Sequence, residues 1–194
     1  LSATDHLSNR QWTEPIRESE ARGDSRPVSH AEFQRIAGEG HALLAHMGTH
    51  QAGTRGLARR WDDVKGSAYE SVQEPWGGVT VKASTGRALS TKANAYAVTV
   101  KRPGQDTVSV PIGASQEEFG AAMETARQQF HQLGHRNHHL GVFRDEDEGR
   151  IDIDPVVVVR RKDQAHAIGA ATRNVGGAYH FRSGNGTFPP HIKD

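Results

Sequence analysis

The chain has no cysteine, which excludes disulfides and thiolate metal sites and leaves the redox compartment open. No apolar run approaches the roughly 20 residues that cross a bilayer, so no membrane span is expected. No signal-like segment leads the chain, and Leu1 in place of an initiator methionine reads as a trimmed or partial product. An excess of one charge is missing as well. The 24 Lys and Arg against 23 Asp and Glu leave a formal net charge of +1, and the sequence pI is about 8.3. That balance does not suggest a nucleic-acid binder driven by bulk charge. A mean hydropathy of −0.69 and 21 glycines point to a modest core with long loops. No internal repeat, GxSxG elbow or P-loop is found. The pairs Gly77-Gly78 and Gly176-Gly177 precede strands, whereas a phosphate cradle needs a helix N-terminus behind its glycines.

What is there concentrates between Leu140 and His191. Ile151, Asp152, Ile153 and Asp154 alternate apolar and acidic, as in a strand with one wet face. Pro155 removes a backbone donor and so marks a kink, a bulge or an edge. Val156 to Val159 read as buried on both faces. Asp163 stands where a helix N-cap would, ahead of Ala165, Ile168 and Ala171. Gly177 to Phe181 reads as a strand and Ser183 to Gly186 as a turn. The stretch is strand, short helix, strand.

Before it, Leu1 to Val28 is polar, mixed in charge and without period, and is read as an extended arm with Trp12 and Ile16 as its anchors. The Arg22-Gly23-Asp24 tripeptide reads as a chance match. Ser29-His30-Ala31-Glu32 is a capping box, followed by Phe33, Ile36, Ala37, Leu43, Leu44 and Met47 on one helix face. Gly38 and Gly40 are expected to weaken that helix. Trp61, Val64, Ala68 and Val72 predict a second helix ending before Pro75. Trp76-Gly77-Gly78 then opens a change of period. Strands are expected at Val79 to Lys82, Ala95 to Lys101 and Thr107 to Val110, joined as an antiparallel meander by short turns. Ser115 to Glu118 is a second capping box, opening a long helix with Phe119, Met123, Ala126, Phe130 and Leu133 in one stripe. The expectation is an α+β fold: a polar arm over residues 1–28, then a single domain over 29–194.

Three constellations carry candidate chemistry. Asp152 and Asp154 share a strand face and are the candidate ligands for a divalent metal, with Asp145, Glu146, Asp147 and Glu148 near by; no other cofactor is expected. The bland alternative is a solvated face beside a charged hairpin. His131 and His135 stand at i and i+4, as zinc ligands on a helix do, with His138 and His139 close behind. Gln132 occupies the position where a zinc protease carries its glutamate, so a histidine face without ligand role is the simpler reading. Arg87, Ser90-Thr91 and Gln116 to Glu118 faintly resemble elements of ADP-ribosyltransferases. The resemblance would give Glu118 the ribose and Arg87 the phosphates, but Lys92 stands where that family has a serine.

The segments WGGVTVKASTG (Trp76–Gly86), LGVFRDEDEGRIDIDPVVVV and AIGAATRNVGGAYHF (both within Leu140–Ile192) resemble uncharacterised proteins of actinobacteria and their tailed phages. That resemblance implies a virion or host-interaction setting and brings no activity with it. The resulting expectation is a non-enzymatic binding or structural module. It would be associated with a phage virion or lie in the cytoplasm, and would dock on protein partners through its N-terminal arm. The alternative is an effector or toxin enzyme acting on a nucleotide or host macromolecule, metal-dependent or ADP-ribosyltransferase-like, built on Asp152, Asp154, His180, His191, Arg87 and Glu118. Convergence of those side chains in one cleft separates the two.

Overall fold

The fold was obtained as a computed structural model. The structure describes residues 26–49, 61–83, 85–90, 92–100, 106–133, 139–172, 178–183 and 185–193. The arm anchors Trp12 and Ile16, the Arg22-Gly23-Asp24 tripeptide and His135 and His138 lie outside them.

In chain order the elements are β1 (Pro27–Val28), α1 (His30–Thr49), α2 (Trp61–Ser71), β2 (Gly78–Lys82), β3 (Tyr96–Thr99), β4 (Val108–Pro111), α3 (Gln116–Leu133), β5 (His139–Asp145), β6 (Arg150–Val159), α4 (Lys162–Ala171), β7 (Ala178–His180), β8 (Asn185–Thr187) and β9 (His191–Ile192). The α+β class is therefore as expected, with helices and strands interleaved. Asp163, read as an N-cap, lies within the first turn of α4, whose N-cap is Arg161, and two further boundaries move. Pro27 and Val28, read as the end of the arm, pair in parallel with His191 and Ile192, and Val28 is buried. Asn185 and Gly186, read as a turn, enter β8.

Seven strands form one sheet in the order β2-β5-β6-β3-β7-β8, with β4 also on β6, and every pairing in it is antiparallel. The middle strands are present, yet their pairing is not the meander their short connections suggest. β2 pairs with β5, while β3 and β4 both pair with β6. The cause is the length of β6. Its residues 150–153 hold β4 and its residues 156–159 hold β3, end to end along one edge. Pro155, which has no N–H to donate, sits at the changeover, and its carbonyl accepts the Val100 N–H at 2.8 Å.

Period 2 assigns the faces. Ile151 and Ile153 pack with Val81, Leu140 and Val142 beneath Val64, Ala68 and Val72 of the α2 region and Phe119, Met123 and Ala126 of α3. Val157 and Val159 pack with Val98 and Ala178 beneath Leu44 of α1 and Ala165 and Ile168 of α4. The described helices thus cover one face in two pairs, and β6 runs under both. Residues 87–89 pair back along the outer edge of β2, with the Leu89 N–H bonded to Thr80 O at 2.8 Å, and lead the chain onto the opposite face. The chain then covers Val156 with Leu89, Ala93, Ala95 and Phe181. Among the described residues no helix lies over the rest of that face, around Asp152 and Phe143.

Both capping serines act as read, with one difference. Ser115 and Glu118 are reciprocal: the Ser115 N–H donates to Glu118 Oε2 at 2.7 Å and the Glu118 N–H donates to Ser115 Oγ at 3.2 Å. Ser29 accepts from the Glu32 N–H at 3.2 Å, but the Glu32 carboxylate turns away to Arg26 at 2.7 Å.

Candidate functional site

The most unusual local geometry lies in the link from α2 to β2. Pro75 precedes Trp76, whose φ of 59° is the one positive value at a non-glycine position among the described residues. An aromatic side chain in that conformation costs on the order of 1–2 kcal/mol. A Cβ at Gly77 would lie 2.3 Å from the Ser71 carbonyl oxygen, and one at Gly78 would lie 2.7 Å from the Val142 carbonyl oxygen. Those two positions admit only glycine, and the positive φ falls on the residue just before them. Arg144 of β5 clamps the turn from the helical side. Its Nη1 donates to Gln73 O at 2.6 Å, its backbone N–H donates to Gly77 O at 2.9 Å, and its Nε lies 2.6 Å from Glu146 Oε1. A cation at the carboxyl end of α2 also suits the helix dipole.

The clamped turn holds the Trp76 indole against Phe143, with ring centroids 6.1 Å apart and a 37° tilt. Even so, Trp76 remains 53% exposed and Phe143 44% exposed. Gly78, Phe143, Asp152 and Ser109 stand in one row across β2, β5, β6 and β4, with Trp76 two residues ahead of Gly78. In the next row Thr80 pairs with Gly141 and Gly141 with Asp154. A Cβ at Gly141 would come within 2.9 Å of Val156 Cγ1, so the Val156 side chain occupies the space over that position.

Asp152 is half-buried, and that burial raises its carboxyl pKa; Arg150, whose Nε lies 2.9 Å away, pulls it down, and the charges of Asp154 and Asp145 raise it further. Asp152 and Asp154 do share a face, as the alternation predicts. Among the described residues no group of three or more His, Asp or Glu is placed to hold a metal ion. His139 shares their face too, and it is buried at 5% exposure.

The remaining candidates stand on other elements. Glu118 is engaged by Ser115, whose backbone N–H and then hydroxyl hold its carboxyl below the ordinary range. Arg87 is exposed on the strand-like return beside β2. His180 stacks on Tyr96 at 4.5 Å, with its two ring nitrogens 2.8 Å from Ser183 Oγ and 3.0 Å from Asn94 Oδ1. His191 belongs to β9. A cleft of about 310 Å³ lies between α1 and α4, lined among others by Arg26, Arg35, Glu39, Lys162 and His166. Its arginines already meet carboxylates, Arg26 with Glu32 and Arg35 with Glu39, and His166 bonds Thr187 at 2.8 Å. The cleft reads as a polar seam.

No protein-family model matches the sequence, and no curated protein or solved structure is detectably similar to it. The loose resemblance at Trp76–Gly86 and Leu140–Ile192 gains no support from these comparisons.

Sequence reasoning passed over Trp76 and Phe143. The signals were there: a tryptophan between a proline and two glycines, and an aromatic residue one position out of phase with Val142 on an alternating strand.

Proposed function

We propose that this chain is a binding module that recognises a protein partner through the open sheet face at Trp76 and Phe143. The observation that carries the reading is an exposed tryptophan held in a strained conformation by a turn that Gly77, Gly78 and Arg144 build around it. A fold has no use of its own for strain at an exposed side chain; such strain accumulates where recognition needs it. Exposed aromatics are also the residues that anchor protein interfaces. A place in a larger assembly, such as a virion, and a second attachment through Trp12 and Ile16 belong to the same proposal.

Replacing Trp76 by glycine tests it. Relief of the positive φ, about 1 kcal/mol, offsets the lost contact with Phe143, about 0.5–1.5 kcal/mol. The expected stability is within about 1 kcal/mol of the parent protein. A structural tryptophan would cost about 3–5 kcal/mol on truncation. A loss of that size in a urea titration would show that Trp76 serves packing and would remove the proposal.

A further inference from the structure

The charges around the aromatic pair say what kind of partner fits. We infer that the Trp76–Phe143 face takes a cationic segment of a protein partner, with an arginine or lysine side chain laid against the two rings. The inference rests on the binding reading above and names its partner class.

Three observations converge. The rings present their faces at a 37° tilt and remain about half exposed, and aromatic faces attract guanidinium and ammonium groups. Carboxylates line the approach on the same strand faces: Asp145 two residues beyond Phe143, Asp152 opposite it and Asp154 one row on. Exposed Asp147 and Glu148 extend the negative edge at the hairpin. Against them, Arg150 is already 2.9 Å from Asp152, while Lys82 and Arg87, opposite each other, stand at the far end of β2 from Phe143. The carboxyl pKa of Asp152 is raised first by burial, and the charges of Asp154 and Asp145 add to the rise against Arg150. A nucleic-acid backbone would meet these carboxylates head on, and a neutral segment would gain nothing from them. A cation on the rings gains from both.

The test uses the full chain and four probes of equal length: an arginine–glycine repeat peptide, its lysine counterpart, its glutamate counterpart and single-stranded oligothymidine. Binding is followed by calorimetry at low and high salt. The arginine peptide, and more weakly the lysine peptide, should bind and lose affinity as salt rises. Trp76→Ala and Phe143→Ala should each weaken the arginine peptide about tenfold, the scale of one ring–cation contact. Asp154→Asn should weaken it by a smaller factor, while Lys193→Ala, near the C-terminus, should leave it unchanged. Circular dichroism of each variant confirms that it is folded, and Phe143→Ala stands in if Trp76→Ala is not. Failure of both cationic peptides, affinity indifferent to the aromatic variants, or preference for the glutamate peptide or oligothymidine overturns the inference. If Trp76→Gly keeps its stability while the cationic peptides fail, the binding face survives and only the partner class is lost.

Discussion

Asp152 shows how a single side chain reports its surroundings. Burial is the largest influence on its carboxyl and raises the pKa, with Arg150 opposing and Asp154 and Asp145 adding to the rise. A carboxyl with a raised folded-state pKa binds protons more readily in the fold than in the unfolded chain. Its contribution to stability therefore falls as pH rises from the ordinary aspartate range through the folded-state value. Asp152→Asn removes that dependence. The melting temperature of the variant relative to the parent should be higher at pH 7 than at pH 3.5, and a flat difference across that range would contradict it. Part of this was legible beforehand. Arg150-x-Asp152-x-Asp154 places all three on one face by period alone. The strain at Trp76 was not legible, because either following glycine would be the ordinary residue to take the positive φ. In the structure both glycines instead serve close backbone approaches, to Ser71 and Val142, and the positive φ is at the tryptophan.

Among the elements, α1 separates propensity from packing. Gly38 and Gly40 carry the same intrinsic penalty in a helix, and sequence reasoning treats them alike. The structure does not. A Cβ at Gly38 meets nothing within 4 Å, while one at Gly40 would lie 1.9 Å from the Ala167 carbonyl oxygen and 2.8 Å from Ala171 Cβ on α4. Gly38→Ala should stabilise by about 0.5–1 kcal/mol. Gly40→Ala should force α1 and α4 apart and cost about 1–3 kcal/mol or more. Paired thermal melts check both signs at once, and equal effects would show that the helices are not in this contact. At α3 the reciprocal cap predicts that Ser115→Ala costs about 1 kcal/mol at neutral pH. The Ser115 backbone N–H, kept in the variant, lowers the Glu118 carboxyl most and the hydroxyl adds to it, so the part of the difference due to the hydroxyl should fade as pH falls and Glu118 protonates. Caps and stripes were readable because they are local in sequence. Strand pairing was not, because the meander rule assumes that neighbours in sequence compete for each other. A ten-residue strand further on offered β3 and β4 a better edge.

For the whole molecule, the question is whether two core clusters on one sheet face behave as one body. Ile151 and Ile153 belong to the cluster under α2 and α3, and Val157 and Val159 to the cluster under α1 and α4. All four stand on β6, with Pro155 between the pairs and its carbonyl tied to Val100. A continuous strand transmits loss of packing along its length only if its two halves open together. A single domain over residues 29–194 therefore makes a specific demand. Val157→Ala leaves a void in the second cluster and should cost about 2 kcal/mol. Native-state hydrogen exchange should then speed up in β2 and β5, at the far end, by the same factor as in β3 and β7 beside the substitution. Acceleration confined to β3 and β7 would mean that Pro155 and the break between β4 and β3 divide the sheet into separate cooperative units, with the Trp76 face belonging to only one of them.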